Sequence, residues 1–206
     1  MKKIMFNDRY GLTQAVIEGR KTMTRRLVPW SLTEQWIEFV SDAPSVGGVY
    51  VHESEKDFYE RETPRYKVGE IVAVAQNYFS TYDESKWENG IWYNEFADGS
   101  DITNHAGWIN KMFVKAEYMP HQIRITGIHC ERLQDISDAE CLKEGVRVEF
   151  ARNGSPMYYY FDTKRWREVW FDTPREAFAA LIDKVSGRGT WKSNPWVVVY
   201  EFELVK

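Results

Sequence analysis

Ile71-Val72-Ala73-Val74-Ala75 is apolar at every position. A strand with one wet face alternates apolar and polar residues, so this unbroken run predicts a strand buried on both faces. Lys67-Val68-Gly69-Glu70 precedes it as a turn. Further strands are legible on either side. Residues 121–133 carry Ile123, Ile125, Ile128 and Cys130 around Gly127, which predicts a long strand with a bulge at the glycine. Trp196 to Phe202 reads as the closing strand, Ile4-Met5-Phe6 as a short opening one, and Gly48 to Glu53 as another. Residues 146–161 read as a hairpin turning at Asn153-Gly154.

Helices fill the intervals. Asn7 or Asp8 can cap a helix whose apolar positions are Leu12, Ala15 and Val16, and Gly19 supplies its left-handed end. Ser31 with Glu34, and Ser137 with Glu140, are capping boxes; the second opens a helix that runs to Gly145. Thr173-Pro174 starts an amphipathic helix with Phe178, Leu181, Ile182 and Val185 on one face. Between about residues 79 and 120 periodicity dissolves into scattered glycine, aspartate and aromatic residues, an irregular insertion that is either a functional loop or a decoration. Many strands with few helices predict an α+β chain, a mixed β-barrel with flanking helices, in one domain over residues 1–206.

A net charge of −4 excludes a protein coated in positive charge for nucleic acid, so any such contact must be local. Cys130 and Cys141 are too few for a disulfide scaffold and read as buried thiols. The start carries no signal-peptide pattern and no run approaches the ~20 apolar residues of a membrane span, so the expectation is a cytoplasmic protein with no membrane contact. His52, His105, His121 and His129 lack metal-ligand spacing, and Asp98-Gly99-Ser100-Asp101 lacks the EF-hand pattern. No metal or cofactor is expected.

The densest local charge is Gly19-Arg20-Lys21-Thr22-Met23-Thr24-Arg25-Arg26, placed between a helix end and the extended Leu27-Val28-Pro29. Cations after a helix complement its dipole, and that alone accounts for many such clusters. The spacing Gly-x-Lys-x-x-x-x-Arg, here Gly19, Lys21 and Arg26, resembles the signature of the ASCH domain family. The likeness extends to Glu131 through Ser137, to Glu144-Gly145, and to Trp191 with Asn194 through Phe202. It implies a PUA-like barrel of bacterial or prophage type that binds RNA or a modified nucleoside. One branch of the family hydrolyses N4-acetylcytidine with a lysine, a threonine and a glutamate. By that likeness Lys21, Thr24 and Glu144 are the catalytic candidates, and Arg25 and Arg26 substrate-binding ones.

The chemistry suits the residue types. A threonine hydroxyl attacks only if a base takes its proton, and a desolvated lysine can be that base. A lysine that stays charged stabilises the oxyanion instead. Two further groups are candidate ligand contacts. Tyr158 and Tyr160, or else Tyr159, form a shelf on which a base can stack. Arg188 with Trp191 is a second basic-aromatic pair, which a helix-ending turn explains nearly as well. The alternative to a nucleoside site is a non-enzymatic protein that binds a partner through the 79–120 insertion.

Overall fold

The computed structural model describes residues 1–42, 54–81 and 102–205, with two short ribbons between them, 45–46 paired to 49–50 and 87–88 paired to 91–92. The elements in chain order are β1 (Lys3–Ile4), α1 (Leu12–Ile17), β2 (Met23–Leu27), α2 (Trp30–Asp42), β3 (Ser45–Val46), β4 (Val49–Tyr50), α3 (Glu55–Glu62), β5 (Ile71–Val74), β6 (Trp87–Glu88) and β7 (Ile91–Trp92). The second half adds β8 (Gln122–Arg132), α4 (Asp138–Lys143), β9 (Arg147–Phe150), β10 (Pro156–Asp162), β11 (Arg167–Phe171), α5 (Pro174–Val185), α6 (Thr190–Ser193) and β12 (Trp196–Leu204).

The main sheet has the order β1-β5-β8-β12-β2, with β1 parallel to β5 and the remaining pairs antiparallel. Within β5, Val72, Ala73 and Val74 are wholly buried, as an apolar run predicts, whereas Ile71 at its start is 39% exposed. The register of β8 against β12 slips between Glu201 and Phe202, opposite Gly127 and Ile125, so the bulge lies where the glycine was. A second sheet, β9-β10-β11, packs through β10 and β11 against α5. It contains the expected hairpin and a third strand that the charged, aromatic 167–171 stretch did not reveal.

The architecture is α+β, but the main ladder does not close into the expected barrel. β1 and β2 are its two edges and do not pair. β1 is two residues long, too short to offer β2 a ladder. A side chain spans the opening instead: the Arg26 guanidinium donates to the Met5 carbonyl at 2.5 Å.

Local details differ from expectation in instructive ways. Asn7 caps a short 3-10 turn over Asp8–Tyr10, and α1 begins only after it, behind Gly11 at φ 64°. α2 starts at Trp30, and its Glu34 accepts from the Trp30 indole N–H at 2.8 Å. α3 went unread because its polar sequence EKDFYERE buries only Phe58 and Tyr59. Of the strand expected over 48–53, Val49–Tyr50 is present and the rest lies outside the described residues, as do His52 and Asp98 to Asp101. The described end of the insertion, residues 102–120, folds back as successive 3-10 turns. Val114, Ala116 and Met119 from it build a small core with Ala73, Ala75 and Tyr78.

Two expected outcomes arise here. Gly145 has φ 108°, and a Cβ there would stand 2.9 Å from Leu12 Cδ2. Gly145→Ala is expected to cost about 1–3 kcal/mol, read as a lower thermal midpoint. Cys130 and Cys141 are fully buried, and burial pushes both thiols up to about 12. At pH 8 the folded protein is expected to resist alkylation, with both thiols labelled once denaturant is added; rapid labelling of the folded chain would contradict the packing.

Candidate functional site

The site begins with how α1 ends. Gly19 at φ 71° turns the chain, and the amides of both Arg20 and Lys21 return to the Ala15 carbonyl at 2.9 Å. That wrap keeps Lys21 out of the strand, so the alternation that would separate Lys21 from Thr24 does not yet apply. The Thr22 amide bonds the Lys143 carbonyl at 3.0 Å, which ties the motif to the last turn of α4. The Ser137–Glu140 capping box starts α4, and Glu144 is its C-cap. Glu144 is thereby delivered to Lys21, 123 positions away.

Lys21 is 2% exposed and its ammonium has three acceptors, Met23 O at 2.7 Å, Glu144 O at 2.8 Å and Glu144 Oε2 at 2.5 Å. Three acceptors match the three hydrogens of a charged lysine. Burial nevertheless holds its pKa below the ordinary lysine value; the Glu144 carboxylate opposes that shift, and Arg26 and Arg25 add to it. We take the resting state to be the ion pair, because the ammonium places all three hydrogens on acceptors and Arg25 faces the other oxygen of the same carboxylate.

Arg25 is also buried. It holds Glu131 on β8 through Nε at 2.8 Å, Glu144 Oε1 through Nη1 at 3.2 Å, and lies 3.4 Å from Glu140. Glu140 therefore does two jobs, closing the capping box and facing Arg25. Arg25 is committed to carboxylates and positions Glu144; it is not presented to a ligand as a free cation.

A cleft of about 300 Å³ opens over this network, lined by Lys21, Thr24, Arg25, Arg26 and Glu144 on its polar side. Phe6 and Leu12, with Phe178, Leu181, Ile182 and Val185 of α5, form the apolar side. Such a floor of a few convergent polar groups under apolar walls is the usual make-up of a small-molecule site. The Thr24 hydroxyl has no hydrogen-bond partner among the described residues, although Thr24 is only 5% exposed. Arg26 stands at the rim, exposed.

The structure thus gathers five of the nine residues singled out by sequence. The other four lie elsewhere. Tyr160 is in the second sheet, packed on Tyr10 and Phe171, and Tyr158 is packed against the core beside it, so neither forms a shelf at this cleft. Trp191 meets the edge of Phe178 and carries Arg175 over its face, while Arg188 is exposed on the turn before α6. What sequence reasoning missed is the α5 wall, whose apolar stripe was legible only as one face of an amphipathic helix, and the carboxylates Glu131 and Glu140 around Arg25. Among the described residues no group of acidic, histidine and cysteine side chains is arranged to hold a metal, and no helix is long and apolar enough to cross a membrane.

Comparison of the chain with protein-family models, curated proteins and solved structures finds no match.

Proposed function

We propose that the chain is an ASCH-type, PUA-like domain whose cleft binds a modified nucleoside, free or within RNA, and hydrolyses an N4-acylated cytidine. The observation that carries this reading is an unpartnered threonine hydroxyl lining the same cleft as a buried lysine–glutamate pair. An amide hydrolase needs a nucleophile, a group to take its proton, and a proton for the departing nitrogen. Thr24 is the nucleophile. A proton shift across the 2.5 Å Lys21–Glu144 contact converts ammonium and carboxylate into amine and carboxylic acid.

The amine then accepts the Thr24 proton as the Oγ1–carbon bond forms. The carboxylic acid supplies the proton that leaves with the cytidine amino group as the carbon–nitrogen bond breaks. Water releases acetate from the threonine ester in a second step. Arg25 keeps Glu144 in place throughout. The apolar walls exclude water and offer flat surface to the base.

The direct test is incubation of the purified protein with N4-acetylcytidine and separation of cytidine from substrate by chromatography. Turnover by wild type is expected. Its absence from well-folded protein would remove the hydrolase reading.

A further inference from the structure

The register of β2 against β12 sets Thr24 opposite Tyr200 and Arg26 opposite Val198. Directly opposed residues of an antiparallel pair share a face, so Thr24, Arg26 and Tyr200 stand on the same side of the sheet. On that side a second cavity of about 280 Å³ adjoins the first, with Arg26 and Leu27 in the walls of both. It occupies the opening between the unpaired edges β1 and β2.

Its lining mixes apolar side chains with charge of one sign. Lys3, Arg26 and Arg65 are its charged residues, and no carboxylate is among those that line it. Lys3 is spent on the Met112 and Val114 carbonyls at 2.7 Å. Arg26 uses one nitrogen on the Met5 carbonyl and keeps its remaining N–H groups. Arg65 bonds through its backbone; its guanidinium has no partner among the described residues, and its like charge acts on Arg26. Tyr200, 3% exposed, accepts the Arg65 amide on its hydroxyl oxygen at 2.8 Å, which leaves the phenolic hydrogen to donate. Glu70, outside this lining, is already held by Lys2 and the Lys67 amide.

Arg26 feels the Glu144 carboxylate only from the adjoining cleft. Two guanidiniums without an ion-pair partner among the described residues stand with a phenolic donor around one cavity and call for an anion with several acceptor oxygens. We propose that this cavity is a phosphate subsite, and that the cleft's ligand is therefore a phosphorylated nucleoside, whether a mononucleotide or one residue of an RNA strand. This rests on the nucleoside reading of the main cleft. The phosphate supplies an ion-pair partner that neither Arg26 nor Arg65 has among the described residues, and Arg26, shared by both cavities, joins base and phosphate recognition.

The test is calorimetric binding of cytidine, its 5′- and 3′-monophosphates, a short cytidine-containing oligoribonucleotide and inorganic phosphate. The proteins are wild type, Arg65→Gln and Arg65→Lys; Arg65 is exposed, so neither variant threatens the fold. A phosphorylated ligand is expected to bind about tenfold tighter than cytidine or better, given charge-assisted hydrogen bonds. Arg65→Gln is expected to erase that advantage and leave cytidine affinity unchanged, with Arg65→Lys retaining part of it. A gain already present with a monophosphate identifies a free nucleotide, and a gain confined to the oligomer identifies a strand. Equal affinity for cytidine and its phosphates, or equal weakening of both by Arg65→Gln, would overturn the subsite. Binding of inorganic phosphate that depends on Arg65, with no binding of cytidine, would instead reject the nucleoside reading and with it the nucleotide assignment.

Discussion

Under the proposed reading, Thr24→Val is expected to reduce turnover of N4-acetylcytidine by about a thousandfold or more, as removal of a covalent nucleophile does in acyl-transfer enzymes. Valine keeps the shape of threonine and removes only the hydroxyl. No hydrogen bond is lost with it among the described residues, so folding stability is expected to stay within about 1 kcal/mol of wild type. Cytidine binding is likewise expected to survive, because the cleft walls are unchanged. The experiment pairs steady-state kinetics with a thermal melt and a binding isotherm. A loss of kcat with intact folding and binding identifies the nucleophile. Retained kcat would move the attack to water and leave Thr24 as a wall residue.

Lys21→Met is expected to have the largest effect on stability of any single change at the cleft. It removes one member of a pair whose side chains are 1% and 6% exposed. Methionine fills much of the space, but the Glu144 carboxylate loses its closest cation and the Met23 and Glu144 carbonyls lose their donor. Breaking a buried ion pair from one side costs about 3–5 kcal/mol, which in a chain of this size lowers the thermal midpoint by roughly 6–20 °C. Arg25 still reaches Glu144 at 3.2 Å, which places the cost toward the lower end. Lys21→Met combined with Glu144→Leu is expected to recover a good part of the loss, since no carboxylate is then left unneutralised. Additive losses in the double variant would show that the two residues stabilise the fold separately. Because Lys21 is part of the buried core as well as lining the cleft, its replacement cannot identify a catalytic role by itself, whereas Thr24→Val can.

The parts of the fold that were legible are those set by a few neighbouring residues. The uninterrupted run at 71–75 announced a strand whose residues 72–74 are buried on both faces, and Gly127 announced the bulge. The Ser137–Glu140 pair announced the start of α4, and the spacing of Phe178, Leu181, Ile182 and Val185 announced α5. The elements that were missed lack such signals. α3 is almost wholly polar, and β11 is a short REVWF stretch, two charged residues then three apolar ones, without a turn motif ahead of it that marks a hairpin.

The site divides in the same way. By itself the sequence determined which side chains have the chemistry, a lysine, a threonine and two arginines behind a left-handed glycine, because residue type and a local turn are short-range properties. Resemblance singled out Glu144, which in isolation is an ordinary helix-end carboxylate. Only the tertiary structure decided which of these meet. It brought Glu144 to Lys21 by joining the ends of α1 and α4, and it withdrew Arg25 into Glu131, Glu140 and Glu144. It left Arg26 and Arg65 without an ion-pair partner among the described residues beside an unclosed sheet, and sent Tyr158 and Tyr160 to a different one. Caps, turns and side-chain alternation act over three or four residues, whereas charge pairing and desolvation depend on which distant segments the packed core forces together.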